Sequence, residues 1–211
     1  MKKPVPADSS STEQNILSVA ERLFLERGFS LTSTTDIARE AGCNQALIHY
    51  YYRSKEKLFE AVFLPKALLF FSSLVSGFRE EASFLENLKT LIESHYDLLQ
   101  ANPRLPFLLF NEINTNSSRI LGLKEAVGER ILYLQARLNR QLEEAVRAGE
   151  IRRITIHELI MNVVSLNITL FLGRPILQKL LGYSDGEYLE EVRVRRSANV
   201  EFILGSLRNE K

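Results

Sequence analysis

The stretch TTDIAREAGCNQALIHYYYRSK, residues 34–55, does most to limit how this chain can fold. Ile37, Ala38 and Ala41 fall on one side of a short helix, which Gly42 can end. Cys43 and Asn44 make a turn, and Asn44 can cap a second short helix, QALIHYYY. Ser54 can cap a third, beginning KEKLFEAVF. Two short helices joined by so tight a turn with glycine form the helix-turn-helix arrangement. The second helix has an unusual composition. No charge occurs from Asn44 to Tyr52, yet His49, Tyr50, Tyr51 and Tyr52 stand in a row. At about 100° per residue, Ile48 and Tyr52 share an inward face, Gln45, Ala46, His49 and Tyr50 the opposite one, and Leu47 and Tyr51 the flank.

The rest of the chain carries helical signals and no alternating strand pattern, so the fold class is all-α. Residues 1–10 are polar, hold two prolines and read as a disordered tail. Ser11 and Gln14 fit a capping box before Ile16, Leu17, Ala20, Leu23 and Phe24, and Gly28 sits where that helix would stop. A long helix from Ser54 carries a kink signal at Pro65. Further helices follow: FLENLKTLIESHYDLLQAN, stopped by Asn102 and Pro103; PFLLFNEI; a long amphipathic segment ending near Gly149; and two at about 155–173 and 186–208. The division expected is a tail at 1–10, a helix-turn-helix domain at 11–54 and a helical domain at 55–211.

The residues of the first stretch resemble the DNA-binding segment of TetR-type (tetracycline-repressor-like) transcriptional regulators. Thr34, Thr35, Ile37, Ala38, Ala41, Gly42, Ile48, Tyr51, Tyr52, Ser54, Lys55, Glu56 and Leu58 stand in the family's register, and AERLFLERGF resembles its first helix. Cys43 replaces the usual valine, Tyr52 the usual phenylalanine, and His49 stands where tyrosine is common. The resemblance implies that the second helix enters a major groove. Gln45 can then bond an adenine edge, His49 can donate or accept, and Ala46 can touch a thymine methyl. Thr34, Thr35 and the tyrosine hydroxyls of Tyr50 and Tyr51 suit phosphates, as does the start of a helix, and Lys55 supplies a charged contact. Asn44 completes the set at the cap.

Composition sets bounds on other functions. The 27 basic and 26 acidic residues give a formal charge of +1, so any nucleic-acid footprint must be local. Cys43 is the sole cysteine, which rules out an internal disulfide; with no secretory signal in view, a reducing, cytoplasmic setting fits. The most apolar runs hold Pro65 and Lys66, or Asn162 and Asn167, and read as buried helices and not membrane spans. Cys43 and His49 straddle a turn, a poor geometry for a nucleophilic dyad. His49, His95 and His157 are too scattered for a metal. No phosphate-binding glycine loop or G-x-S-x-G is present, so neither a cofactor nor catalysis is expected. The RVRR run at 193–196 reads as a solvated helix face, and Lys2 and Lys3 as part of the tail.

By the same resemblance the last two long helices pair with those of a second copy as a four-helix bundle. Ile160, Val163, Val164 and Leu170 stripe one, and Leu189, Val192, Val200, Ile203 and Leu207 the other. His95, Asn111, Glu112, Asn114, Asn162 and Asn167 lie in or beside apolar runs. They can line an apolar effector pocket with a few polar groups, or face solvent or a neighbouring helix. The resemblance implies a homodimeric repressor on a palindromic double-stranded operator, released by an unknown small molecule. A constitutive DNA-binding regulator without effector is the alternative, and an enzyme with an accessory helix-turn-helix a more distant one.

Overall fold

The computed structural model describes residues 9–74, 77–116 and 118–209. Among these, nine α-helices carry the fold: α1 Ser9–Arg27, α2 Thr34–Glu40, α3 Gln45–Tyr52, α4 Lys55–Ser73, α5 Phe84–Ala101, α6 Leu105–Thr115, α7 Ser118–Arg147, α8 Ile156–Leu172 and α9 Asp185–Ser206. A π-helical turn, Ile176–Leu180, stands between the last two. No strand occurs among the described residues. The all-α reading holds. Most of the expected tail lies outside the described residues, but α1 begins at Ser9, so Ser11 lies inside its first turn and does not precede it.

The described residues fall into two compact units, one within Met1–Ala67 and Phe107–Ile120, the other within Leu68–Pro106 and Leu121–Lys211. The first extends past the motif that suggested a cut at residue 54. Its aromatic packing is the reason. Phe24, Phe29 and Phe59 meet edge-on or stacked at centroid distances of 4.8–6.2 Å, and Phe63 stacks on Phe59 at 5.4 Å. Leu58 and Phe59, in the first turns of α4, are therefore buried with Ile16, Ala20, Leu23 and Phe24 of α1. Rings so packed add about 0.5–1.5 kcal/mol per pair to the area they bury. The chain leaves α1 through Gly28, at φ +75°, a backbone that a side chain adopts only under strain. There the Phe29 N–H donates to Glu112 Oε1 of α6 at 3.1 Å, and a Cβ on Gly28 would stand 3.1 Å from Asn111 Nδ2.

The second unit is a helical layer in which α5 packs on α8 and α9 and these pack on each other. Capping boxes start α5 at Ser83–Glu86 and α9 at Ser184–Glu187, and Thr155 caps α8. Leu88, Ile92, Leu138, Leu142, Leu159, Val163, Ile203 and Leu207 form its core. Polar groups cross that core and satisfy one another. Asn167 Nδ2 donates to Ile92 O (3.0 Å) and His95 Nδ1 (3.2 Å), Asn199 Nδ2 donates to Asn167 Oδ1 (3.0 Å), and the Tyr96 hydroxyl donates to Val192 O (2.7 Å). The Asn167 bond makes His95 Nδ1 an acceptor, so the neutral ring carries its proton on Nε2. That nitrogen is buried without an oxygen or nitrogen partner, and the ring meets Phe70 edge-on at 5.2 Å.

Burial pushes the His95 imidazole down from 6.5 to about 4. Unfolding frees it to take up a proton between those two values, so its contribution is complete above pH 6.5 and is lost as pH falls toward 4. The whole difference is worth roughly 3 kcal/mol. Urea unfolding of the wild type from neutral pH downward should therefore lose more stability than that of His95→Leu. Parallel pH profiles for the two proteins would show that His95 is not the group responsible.

Candidate DNA-binding site

The site begins with two caps. Ser33 Oγ accepts from the Asp36 N–H and caps the start of α2. Asn44 Oδ1 accepts from the Ala46 N–H at 2.8 Å and starts α3, as the sequence suggested. Between them Gly42 takes φ +64°, and the Cys43 N–H donates back to Ala38 O at 3.0 Å. The Gln45 amide donates to Thr34 Oγ1 at 2.8 Å, which ties the start of α3 to the start of α2. Ile37, Ala38 and Ile48 are buried between the two helices and the rest of the unit.

With Ile48 inward, the remaining faces of α3 follow. Gln45, Ala46, His49 and Tyr50 are exposed, Leu47 and Tyr51 half-buried, and Tyr50 shows 65% of its surface. Tyr50 and Tyr51 rings meet edge-on at 5.1 Å. Tyr52 turns inward: its hydroxyl donates to Glu13 O of α1 at 3.4 Å, and burial raises its pKa. Thr34 is half-buried and Thr35 exposed. The helix ends at Arg53, which holds φ +67°, the one non-glycine residue with positive φ among those described. The His49 ring places Nδ1 3.0 Å from Arg53 O. A carbonyl oxygen only accepts, so Nδ1 carries the proton there, and the neutral ring offers Nε2 as an acceptor.

Lys55, expected to supply a charged contact, is half-buried. Its ammonium lies 4.1 Å from the centre of the Phe29 ring, and burial, opposed by Glu56 and Glu112, lowers its pKa. It forms part of the wall of a shallow depression with Ser33, Thr34, His49, Ser54 and Glu56. Arg53, exposed at the end of α3, was missed; its only sequence signal was its place just after the tyrosines. The basic groups of α1 and α2 are paired with acids: Arg39 with Asp36, and Arg22 and Arg27 with Glu40.

The second unit holds a cavity of about 330 Å³. None of the six residues named as candidates, Glu112 among them, lines it. His95 and Asn167 are locked in the buried network, and Asn111 belongs to the other unit, beside Gly28. Asn114 and Asn162 are exposed. The polar groups that do line it are Asn87, Gln135 and His157. The residues expected to meet a second copy are placed as follows. Val163, Val192, Val200, Ile203 and Leu207 are at most 7% exposed in the single chain, and Leu170 is 9% exposed, because α5, α8 and α9 cover one another. Ile160 and Val164 are half-buried and Leu189 is exposed. Open beside Leu189 in the same two helices are Met161, Leu172, Val194 and Phe202. Of the RVRR run, Arg193 and Arg195 pair with Glu190 and Glu191, and Arg196 grips Asp97 with both arms and reaches Glu93. Among the described residues no group of three His, Cys, Asp or Glu could hold a metal ion, and no helix is long and apolar enough to cross a membrane.

A short capped helix, open on one uncharged face and following a second helix across a tight glycine turn, makes the first unit a helix-turn-helix module. Residues 16–62 match the model of the bacterial regulatory proteins of the tetR family, so this stretch is similar to that family's helix-turn-helix segment. The chain is similar to the fatty acid metabolism regulator protein of Bacillus subtilis, 25% identical over 65% of this chain and 69% of that one. It also resembles the nucleoid occlusion factor SlmA of Pasteurella multocida, 29% identical over 52% of this chain, and there spans only 55% of the relative's length. A tetR-family regulatory protein from Rhodococcus RHA1 shares the fold with a TM-score of 0.70 at 17% identity, over 95% of this chain and 98% of that one.

The Asn44 cap carries a direct test. Asn44→Ala should lower stability by about 1 kcal/mol, whereas Asn44→Asp should stay within a few tenths. Equal denaturation midpoints for Asn44→Ala and the wild type would show that α3 does not depend on this bond.

Proposed function

We propose that the chain represses transcription as a homodimer on a palindromic operator, and that a small molecule in the second unit's cavity releases it. The observation that carries the reading is the face of α3. Gln45, Ala46, His49 and Tyr50 stand open together while caps and Ile48 hold the helix still. The first unit, by this reading, is the reader and the second the sensor and dimer platform. Gln45 keeps an amide hydrogen and its oxygen for an adenine edge, and His49 Nε2 accepts from the amino group of adenine or cytosine. Thr34, Thr35, Tyr50, Tyr51 and Arg53 meet phosphates, and Lys55 supports them from its seat on Phe29.

Two copies would place two α3 helices one helical turn apart on the operator. For their contact we propose the apolar residues that the single chain leaves open on α8 and α9, Met161, Leu189 and Phe202, in place of the residues its own core has taken. Coupling has a covalent route: α4 begins at Lys55 in the first unit, and its later residue Phe71, with Leu74 just past its end, lines the cavity in the second. An effector acts by this route only if it binds two arrangements of the chain unequally. A constitutive regulator remains the alternative. An enzyme is the more distant reading: among the described residues no catalytic grouping lines the cavity, and the Bacillus subtilis relative is named a regulator.

Gln45→Ala and His49→Ala should each cost about 1–3 kcal/mol of discrimination between operator and random DNA. Arg53→Ala should weaken all sequences alike and reduce the salt slope by about one. Fluorescence anisotropy with both DNAs at several salt concentrations distinguishes the two effects, and unchanged affinities for all three would sink the assignment. For the dimer, Phe202→Asp places a charge on an open apolar site and should sediment as a monomer with weakened operator binding. A stable, fully active dimer would move the interface elsewhere.

A further inference from the structure

The chemistry of the cavity names its occupant more closely. Among the described residues no Lys, Arg, Asp or Glu lines it; its walls are mainly Leu, Ile, Val and Met, with Phe71 and Phe78. Asn87 is the one deeply buried polar group among them, and its amide is already engaged. Nδ2 donates to Arg79 O (2.8 Å) and Gln141 Oε1 (3.0 Å), and Oδ1 accepts from the Arg79 N–H (2.9 Å). A polar atom placed deep in the cavity would meet no free partner, and burying an unpaired polar group is costly. The remaining polar side chains stand at the rim. Gln135 is half-buried and His157 exposed, with Gln135 Nε2 and His157 Nε2 3.4 Å apart, beside Met161 at 62% exposure.

We infer that the cavity takes the hydrocarbon part of a single-headed amphiphile, an alkyl or acyl chain, whose polar head stays at the rim beside Gln135 and His157. Its role as the releasing effector rests on the regulator reading above; its chemical class does not. Flexible aliphatic walls conform to a chain, and a cavity near the low end of the usual 300–1,000 Å³ accepts a slender one. Among the described residues the rim offers an amide and an imidazole and no fixed charge, so the site reads the tail more than the charge of the head.

Calorimetry on the intact chain with the straight-chain carboxylates from octanoate to tetradecanoate, and with the matching alcohols, tests this. Affinity should rise about fourfold per added methylene until the chain outgrows the cavity. Acids and alcohols of one length should differ by much less than that whole series. Leu91→Trp and Leu134→Trp, each checked for an unchanged helical spectrum and melting temperature, should abolish binding. Gln135→Ala and His157→Ala should alter the acid-to-alcohol ratio and leave the dependence on length intact. Affinity independent of chain length, or undiminished in a folded tryptophan variant, overturns the inference. Operator titration with a bound chain separates the two claims. Binding without release upholds the amphiphile site and refutes its role as effector. Release by a polar compound that binds in the cavity, where no chain binds, refutes the amphiphile and upholds the switch.

Discussion

An eight-residue helix is not stable by itself in water, and the presentation of α3 depends on what holds it. Burial of Ile48 provides the main hold, with the Asn44 cap at one end and Tyr52 reaching Glu13 at the other. Full burial of such an aliphatic side chain is worth about 1.5–3 kcal/mol, more than any single hydrogen bond around it. Rotating the helix to free Ile48 would also withdraw Gln45, Ala46 and His49 from solvent. The same contact therefore sets the stability of the helix and the side chains it can offer to DNA. The aromatic packing of Phe24, Phe29 and Phe59 extends that hold to α1 and to the first turns of α4.

Much of this was legible because periodicity reports burial directly. The turn at Gly42, the cap at Asn44 and all three faces of α3 follow from residue type and spacing, and the structure has them. Local choices among near-equal residues were less legible. Ser33 and Thr34 are both good caps, and the backbone selected Ser33. Lys55 shows the limit on the chemical side. A lysine next to a DNA-facing helix reads as a free cation, but nothing in its own stretch reveals that Phe29, distant in sequence, lies under its ammonium. The π-helical turn at Ile176–Leu180 likewise has no simple spacing rule.

The second unit shows why a buried face does not identify its partner. The stripes on α8 and α9 are real, but an apolar stripe says only that something covers it. Here Val163, Val200 and Ile203 are covered by their own chain. Polar residues in apolar runs carry the same ambiguity. His95, Asn167 and Asn199 look like ligand groups one at a time, yet together they satisfy most of one another's bonding needs. The groups that do line the cavity, Asn87, Gln135 and His157, come from three different helices and have no common sequence signature.

The distribution of charge in the first unit bears on how selectivity can arise. Arg22, Arg27 and Arg39 are taken up by Glu40 and Asp36, and Lys55 is partly desolvated, so few cations remain for phosphates. Sequence-independent affinity comes almost wholly from such cations through counterion release. Discrimination comes from base edges, which α3 would address with uncharged groups that titrate little in salt. A reader built this way gives up affinity for all DNA while keeping the difference between right and wrong sites. On the dimeric reading proposed above, each subunit would hold weakly, two would have to engage together for a useful residence time, and the distance between their α3 helices would be the quantity on which a release signal acts most economically.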